Sequence, residues 1–144
     1  GKFTLNFNCR PERYLTSGSE YASPIEITQN EQTISNPTFF TSKPRITLFG
    51  NGWFKFEMGS IPMGTYKSYT IDVTGREPSG PGASVILDCE TMMCYDGADG
   101  SNAGEYVVLY NGFPEFEPTI ITCTYSTDAS SGTKMSIIPR WWEV

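Results

Sequence analysis

The fold is decided by the stretch Arg45–Met58, which reads RITLFGNGWFKFEM. Apolar and polar side chains alternate on both sides of its central Gly50-Asn51-Gly52. A period of two is typical of β-strands that bury one face. Glycine and asparagine accept a positive φ, so the central tripeptide predicts a tight turn. We therefore predict two strands, Arg45–Phe49 and Trp53–Met58, joined as a hairpin.

The same alternation continues along the rest of the chain, between turns rich in glycine and proline. Gly75–Ala83 holds two prolines and three glycines and is expected to be an exposed loop. About nine or ten strands, joined by local turns, predict a single all-β antiparallel sandwich or barrel with little or no helix. The further strands are expected at Phe3–Cys9, Ile25–Thr28, Tyr66–Thr74, Ser84–Thr91, Glu105–Tyr110, Thr119–Thr127 and Thr133–Trp142.

The composition of the chain disfavours several classes of function. The 144 residues fit one domain. A formal net charge of −6 disfavours nucleic-acid binding, which depends on clustered Lys and Arg. The sequence has no histidine, which is the commonest general base and metal ligand. No apolar run is long enough to span a membrane. We expect a domain that is not an enzyme and uses no cofactor.

The cysteines are expected to be free thiols. Cys9, Cys89, Cys94 and Cys123 lie in or beside apolar runs, where cysteine behaves as a small hydrophobe. Cys89 and Cys94 lack the spacing of a zinc knuckle and have no second pair. No export signal is expected at Gly1, and the native start is expected to lie upstream.

Two acidic segments are candidate sites. Asp88 and Glu90 lie two apart, so a strand would present both carboxylates on one face. A glycosidase needs such a pair across a sugar cleft, but a solvated face is the simpler interpretation. The run Asp96–Asn102 lacks oxygen ligands at the third and fifth positions of a calcium loop, so it is predicted to be a turn.

The aromatic residues leave two interpretations open. Trp53, Trp141, Trp142 and the eight tyrosines could form a platform that stacks on sugars. They could equally supply core volume, because aromatic residues are favoured in strands. Trp141 and Trp142 are neighbours on a predicted strand and should point to opposite faces. One of them can therefore be core while the other covers an edge or a partner.

Several short motifs occur in order along nearly the whole chain. Phe7–Leu15 reads FNCRPERYL, Leu87–Glu90 reads LDCE ahead of Tyr95, and Ile137–Trp142 reads IIPRWW. Together with ISNPT, SKPRI and Phe113-Pro114, these motifs resemble the C-terminal half of the siphophage distal tail protein (Dit) family. The chain departs from that family where Glu115–Thr119 lacks a glycine and where the Gly75–Ala83 loop is longer. The motif residues singled out are Cys9, Arg10, Pro11, Asp88, Glu90, Phe113, Pro114, Pro139, Arg140, Trp141 and Trp142.

The resemblance implies a galectin-like or jelly-roll sandwich on the outside of a hexameric ring that joins the tail tube to the host-adhesion apparatus. The N-terminal half of the family's proteins builds that ring. The chain would then be a structural and adaptor domain of a phage or prophage virion, assembled in the bacterial cytoplasm. Its partners would be the ring-forming half and receptor-binding or other tail-associated proteins. The isolated domain is expected to be monomeric or weakly associating.

The motif residues are then expected to determine the fold where the first and last strands meet. Arg140 should pair with a carboxylate or a carbonyl, which its guanidinium fork favours. The alternative function is a carbohydrate-binding module for host cell-surface glycans, although galectin-type sites use a histidine that this chain lacks. A glycoside hydrolase would need turnover that depends on Asp88 or Glu90, and none is expected.

Overall fold

The computed structural model describes residues 1–6, 13–19, 22–74, 83–129 and 132–144. These residues form twelve strands and two single-turn 3-10 helices, Thr16–Gly18 and Gly104–Tyr106. The strands are β1 Arg13–Tyr14, β2 Ile25–Ile27, β3 Gln32–Ser35, β4 Arg45–Phe49, β5 Gly52–Met58, β6 Lys67–Val73, β7 Ser84–Asp88, β8 Met93–Asp96, β9 Val107–Tyr110, β10 Ile120–Thr127, β11 Met135–Ile138 and β12 Trp142–Glu143.

Ten of the strands form two antiparallel five-stranded sheets that pack as a sandwich. The first sheet has the order β3-β10-β5-β6-β9 and is called the Trp53 sheet below. The second has the order β2-β11-β4-β7-β8 and is called the Asp88 sheet. The remaining strands, β1 and β12, pair with each other. The predicted all-β antiparallel sandwich is therefore confirmed.

The core is formed by the apolar residues that alternate with polar ones along the strands. Phe54, Phe56 and Met58 of β5 are buried, while the residues between them are partly exposed. Ile46 and Leu48 of β4 are buried from the opposite sheet. Burying an aliphatic or aromatic side chain of this size contributes about 1.5–3 kcal/mol each. The alternating pattern thus correctly predicted the buried face of these strands.

The predicted hairpin at Gly50-Asn51-Gly52 is wrong. β4 lies in the Asp88 sheet and β5 in the Trp53 sheet, so the tripeptide carries the chain between the sheets. The positive φ expected there is present, at 79° for Gly50 and 133° for Gly52. A β-carbon on Gly52 would lie 1.8 Å from the Ser126 carbonyl oxygen, which explains the glycine. Alternation specifies a buried face but not the strand that pairs beside it.

Local hairpins do not dominate the pairing as predicted. Among the described residues, β5–β6 and β7–β8 are the pairs that join consecutive strands. The other pairs connect strands distant in sequence, such as β10 with β3 and β11 with β2. The strand β3, Gln32–Ser35, was not predicted at all.

Several predicted boundaries also differ. The last predicted strand stops at Ile138, because Pro139 lacks an amide donor and Arg140 has a φ of 52°. The strand from Ser84 stops at Asp88, and a turn follows. Residues 3–6 of the first predicted strand form no strand, and Phe3 and Leu5 are exposed. Its remainder, and residues 75–82 of the predicted loop, lie outside the described residues.

Within the described part of the chain, no helix is long and apolar enough to cross a membrane.

Candidate functional site

Arg140 is the centre of a cluster formed by the end of the chain and the turn after β7. Its side chain is buried, and Nη1 and Nη2 donate to Oδ1 and Oδ2 of Asp88 at 2.7 and 3.0 Å. Glu90 Oε2 lies 3.4 Å from the same Nη1. Two parallel hydrogen bonds to one carboxylate are the strongest geometry open to arginine. The prediction that Arg140 pairs with a carboxylate is confirmed.

The Asp88 carboxylate binds Arg140 and also accepts hydrogen bonds from the turn that follows β7. Its Oδ1 accepts the backbone N–H groups of Glu90 and Thr91 at 3.0 and 3.2 Å. The Arg140 hydrogen bond lowers the pKa of Asp88 to about 2, against the opposing effect of burial. The expected solvated pair is therefore wrong for Asp88, which is mostly buried, whereas Glu90 is exposed in the turn. Both Asp88 oxygens are engaged, so this carboxylate is poorly placed for acid or base catalysis.

The ion pair between Arg140 and Asp88 is expected to stabilise the fold less at acidic pH. The pKa of Asp88 is about 2 in the folded state, against an ordinary 3.8. The ionised carboxylate therefore stabilises the fold above pH 4, and this stabilisation is lost as the pH falls towards 2. The shift corresponds to about 2 kcal/mol. Asp88→Asn should therefore be less stable than wild type at pH 6, and the difference should shrink at pH 2. Urea unfolding at both pH values measures this, and an equal difference at both would contradict it.

As predicted, one of the two tryptophans at positions 141 and 142 lies in the core and the other does not. Trp141 is buried and its ring centroid lies 6.2 Å from that of Phe116. Phe116 in turn packs on Phe56 of the core, with centroids 5.4 Å apart. Trp142 is half-buried and stacks on Phe40 at 4.3 Å. Its indole N–H donates to the carbonyl of Thr41 at 2.9 Å. Trp141 is core, and Trp142 covers the neighbouring loop.

The first and last described strands, β1 and β12, pair with each other. In the β1–β12 pair, Tyr14 lies opposite Trp142. The Tyr14 hydroxyl reaches Glu90 at 3.5 Å, which adds a weak contact to the Arg140 cluster. The backbone N–H of Leu15 donates to the Trp141 carbonyl at 2.7 Å. Residues 13–15 and 140–143 are thus held together around Arg140 and Trp141.

The remaining motif residues do not join this cluster as one site. Phe113 packs against the core from a partly buried position, and Pro114 is buried beside it. Pro139 is also buried and directly precedes Arg140. The motif residues Cys9, Arg10 and Pro11 lie outside the described residues.

The three described cysteines, Cys89, Cys94 and Cys123, are buried free thiols, as expected. Burial raises the pKa of all three, that of Cys123 to about 12. Thiols held in this protonated state are poor nucleophiles and poor metal ligands. Within the described ranges, no group of acidic and cysteine side chains is arranged to hold a metal ion.

The outer face of the Trp53 sheet carries the third tryptophan. Trp53 is 41% exposed and lies on the same side of β5 as Lys55 and Glu57. Lys55 Nζ and Glu57 Oε1 form an ion pair of 2.7 Å. The Glu57 hydrogen bond raises the pKa of Lys55, and the Lys55 hydrogen bond lowers that of Glu57. The sequence alternation had placed Trp53 with these charges but could not show that it stays uncovered.

An open groove of about 560 Å³ lies where this face meets the β5–β6 connection. Glu57, Thr122 and Ile120 of the face line it together with Met63 and Tyr66. The Tyr66 hydroxyl donates to Glu57 Oε1, so both side chains are linked beside the groove. The groove is therefore continuous with the row that Trp53, Lys55 and Glu57 form along β5.

Comparison with protein families, curated proteins and solved structures finds no match to this chain. The resemblance to distal tail proteins therefore rests on the quoted sequence motifs. The structure thus contains two candidate sites, the buried Arg140 cluster and the exposed outer face of the Trp53 sheet.

Proposed function

We propose that this chain is a non-enzymatic structural and adaptor domain of a phage or prophage distal tail protein. The observation that carries the proposal is the contact between Arg140 and Asp88. It joins the LDCE and IIPRWW segments, two of the motifs on which the family resemblance depends. In a structural domain, the signature residues are expected to hold the fold together rather than line a cleft.

The chemistry of the cluster supports a structural role. Arg140 engages both oxygens of Asp88 and lies beside Glu90. A glycosidase would instead need two carboxylates free to act on a sugar, one of them protonated near neutral pH. The low pKa of Asp88 is opposite to what a general acid requires.

The proposed setting is the tail tip of a virion, at its hub or baseplate. There the domain would link the tail tube to the host-adhesion apparatus. The ring-forming half of the same protein and receptor-binding proteins would be its partners, with assembly in the bacterial cytoplasm. Buried free thiols suit a protein that assembles in a reducing compartment.

Immunogold electron microscopy of particles from the phage or induced strain that encodes the chain tests this proposal. Antibodies raised against residues 1–144 should label the tail tip, because the domain would project from the outside of the hub. The same antibodies pre-adsorbed with purified domain serve as the control. Label on the capsid or along the tube, or particles free of the protein, would contradict the proposal.

The alternative function, a carbohydrate-binding module, is favoured by one specific observation. Trp53 stays exposed on a sheet face, whereas Trp141 is buried and Trp142 is stacked on Phe40. This feature does not depend on the Arg140 cluster and is compatible with an adaptor domain.

A further inference from the structure

The outer face of the Trp53 sheet combines exposed aromatic rings with polar side chains in register. Trp53, Asp72 and Val108 lie side by side across β5, β6 and β9. The next row contains Lys55, Thr70 and Tyr110. Partners in an antiparallel sheet point to the same side, so both rows share one surface.

Two aromatic rings stand at opposite corners of this surface. Trp53 is 41% exposed and Tyr110 is 54% exposed. Their backbones are two strands and one row apart, which corresponds to about 12 Å. A short oligosaccharide can span that distance and contact both rings. Indole and phenol rings offer an apolar face and a polar tip, which suits the mixed surface of a pyranose.

Between the two rings lie polar groups that the protein itself leaves available. Among the described residues, nothing hydrogen-bonds to the Asp72 carboxylate, the Thr70 hydroxyl or the Trp53 indole N–H. A carboxylate accepts, an indole N–H donates and a hydroxyl does both. These groups can therefore bind the hydroxyls of a ligand whose apolar faces lie on the rings.

The character of the face favours a neutral saccharide over other ligands. Lys55 is already paired with Glu57, so the surface offers an anion little free positive charge. The chain's net charge of −6 further disfavours a polyanion. Protein interfaces usually have a continuous apolar centre, whereas here Asp72, Thr70 and Lys55 separate the rings.

We propose that this face, centred on Trp53, Asp72 and Tyr110, binds a neutral oligosaccharide of several pyranose units. The sugar rings stack on Trp53 and Tyr110, and their hydroxyls bind Asp72 and Thr70. The proposal does not depend on the assignment to a phage tail, because it rests on this surface alone.

Calorimetric titration with N-acetylchitohexaose, cellohexaose and maltohexaose tests the proposal. At least one should bind saturably at millimolar concentration or tighter, and the bound sugar should protect tryptophan fluorescence from acrylamide quenching. Trp53→Ala and Tyr110→Ala should each weaken that binding at least tenfold, because each removes a stacking surface. Asp72→Asn, which keeps the side-chain shape, should weaken it less.

Phe39→Ala is the matched control, since Phe39 is 92% exposed in a loop and lies off this face. It should bind as wild type does, and circular dichroism melting should show that all four variants remain folded. Failure of all three sugars to bind, or binding that Trp53→Ala leaves unchanged, would overturn the proposal. Protection of Trp53 by a purified tail protein, with no response to sugars, would assign the face to protein docking instead.

Discussion

Trp141→Ala is expected to lower the free energy of unfolding by about 3–5 kcal/mol, the range for large-to-small changes at a buried tryptophan. The ring is 3% exposed and packs on Phe116, which leads to Phe56 in the core. Gly18 lies against it so closely that a β-carbon there would meet the Trp141 backbone nitrogen at 2.6 Å. Little room exists for the neighbours to collapse, so a cavity should remain.

The matched control is Trp142→Ala, one residue along the chain. Trp142 is half-buried, and its replacement by alanine removes the stack on Phe40 and one hydrogen bond to a carbonyl. These contacts are worth about 1–2 kcal/mol together. Urea unfolding followed by circular dichroism compares the two variants at one pH. Equal costs, or a Trp141 variant as stable as wild type, would contradict the packing argument.

Much of the sandwich could be predicted because alternation reports burial directly. β5 and β6 have the buried faces that their sequences indicate, with Tyr69, Ile71 and Val73 inward on β6. The pairing of strands could not be predicted in the same way. The partners of β4 are β7 and β11, both far along the chain, and no local pattern encodes such contacts.

The same holds for the candidate sites: the role of a residue could be predicted from the sequence, but its partners in space could not. The family resemblance implied a structural role for Arg140, the guanidinium fork predicted a carboxylate or carbonyl partner, and Arg140 does bind a carboxylate. Its partner could not be identified from spacing, because Asp88 is 52 residues away and looked like part of a solvated pair. Trp53 alternates with core residues in the sequence, yet its exposure depends on whether another element covers the face.

Arg140→Met is expected to lower the free energy of unfolding by about 3 kcal/mol, near the lower end of the range for breaking a buried ion pair. Methionine keeps much of the apolar stem, so the main loss is the charge that faces Asp88. The Asp88 carboxylate, 14% exposed, would then be left without its guanidinium partner. Its pKa should rise from about 2 because burial would no longer be opposed by the Arg140 hydrogen bonds.

A double-mutant cycle separates this loss from general damage to the terminal segment. Glu90→Gln is the matched control, since Glu90 is exposed and lies 3.4 Å from Arg140, so it should cost less than about 1 kcal/mol. Arg140→Met combined with Asp88→Asn should cost clearly less than the sum of the two single changes, because no unpaired buried charge remains. Additive losses would mean that the two residues act separately. In that case the contact that joins the LDCE and IIPRWW segments would not be what holds this end of the sandwich.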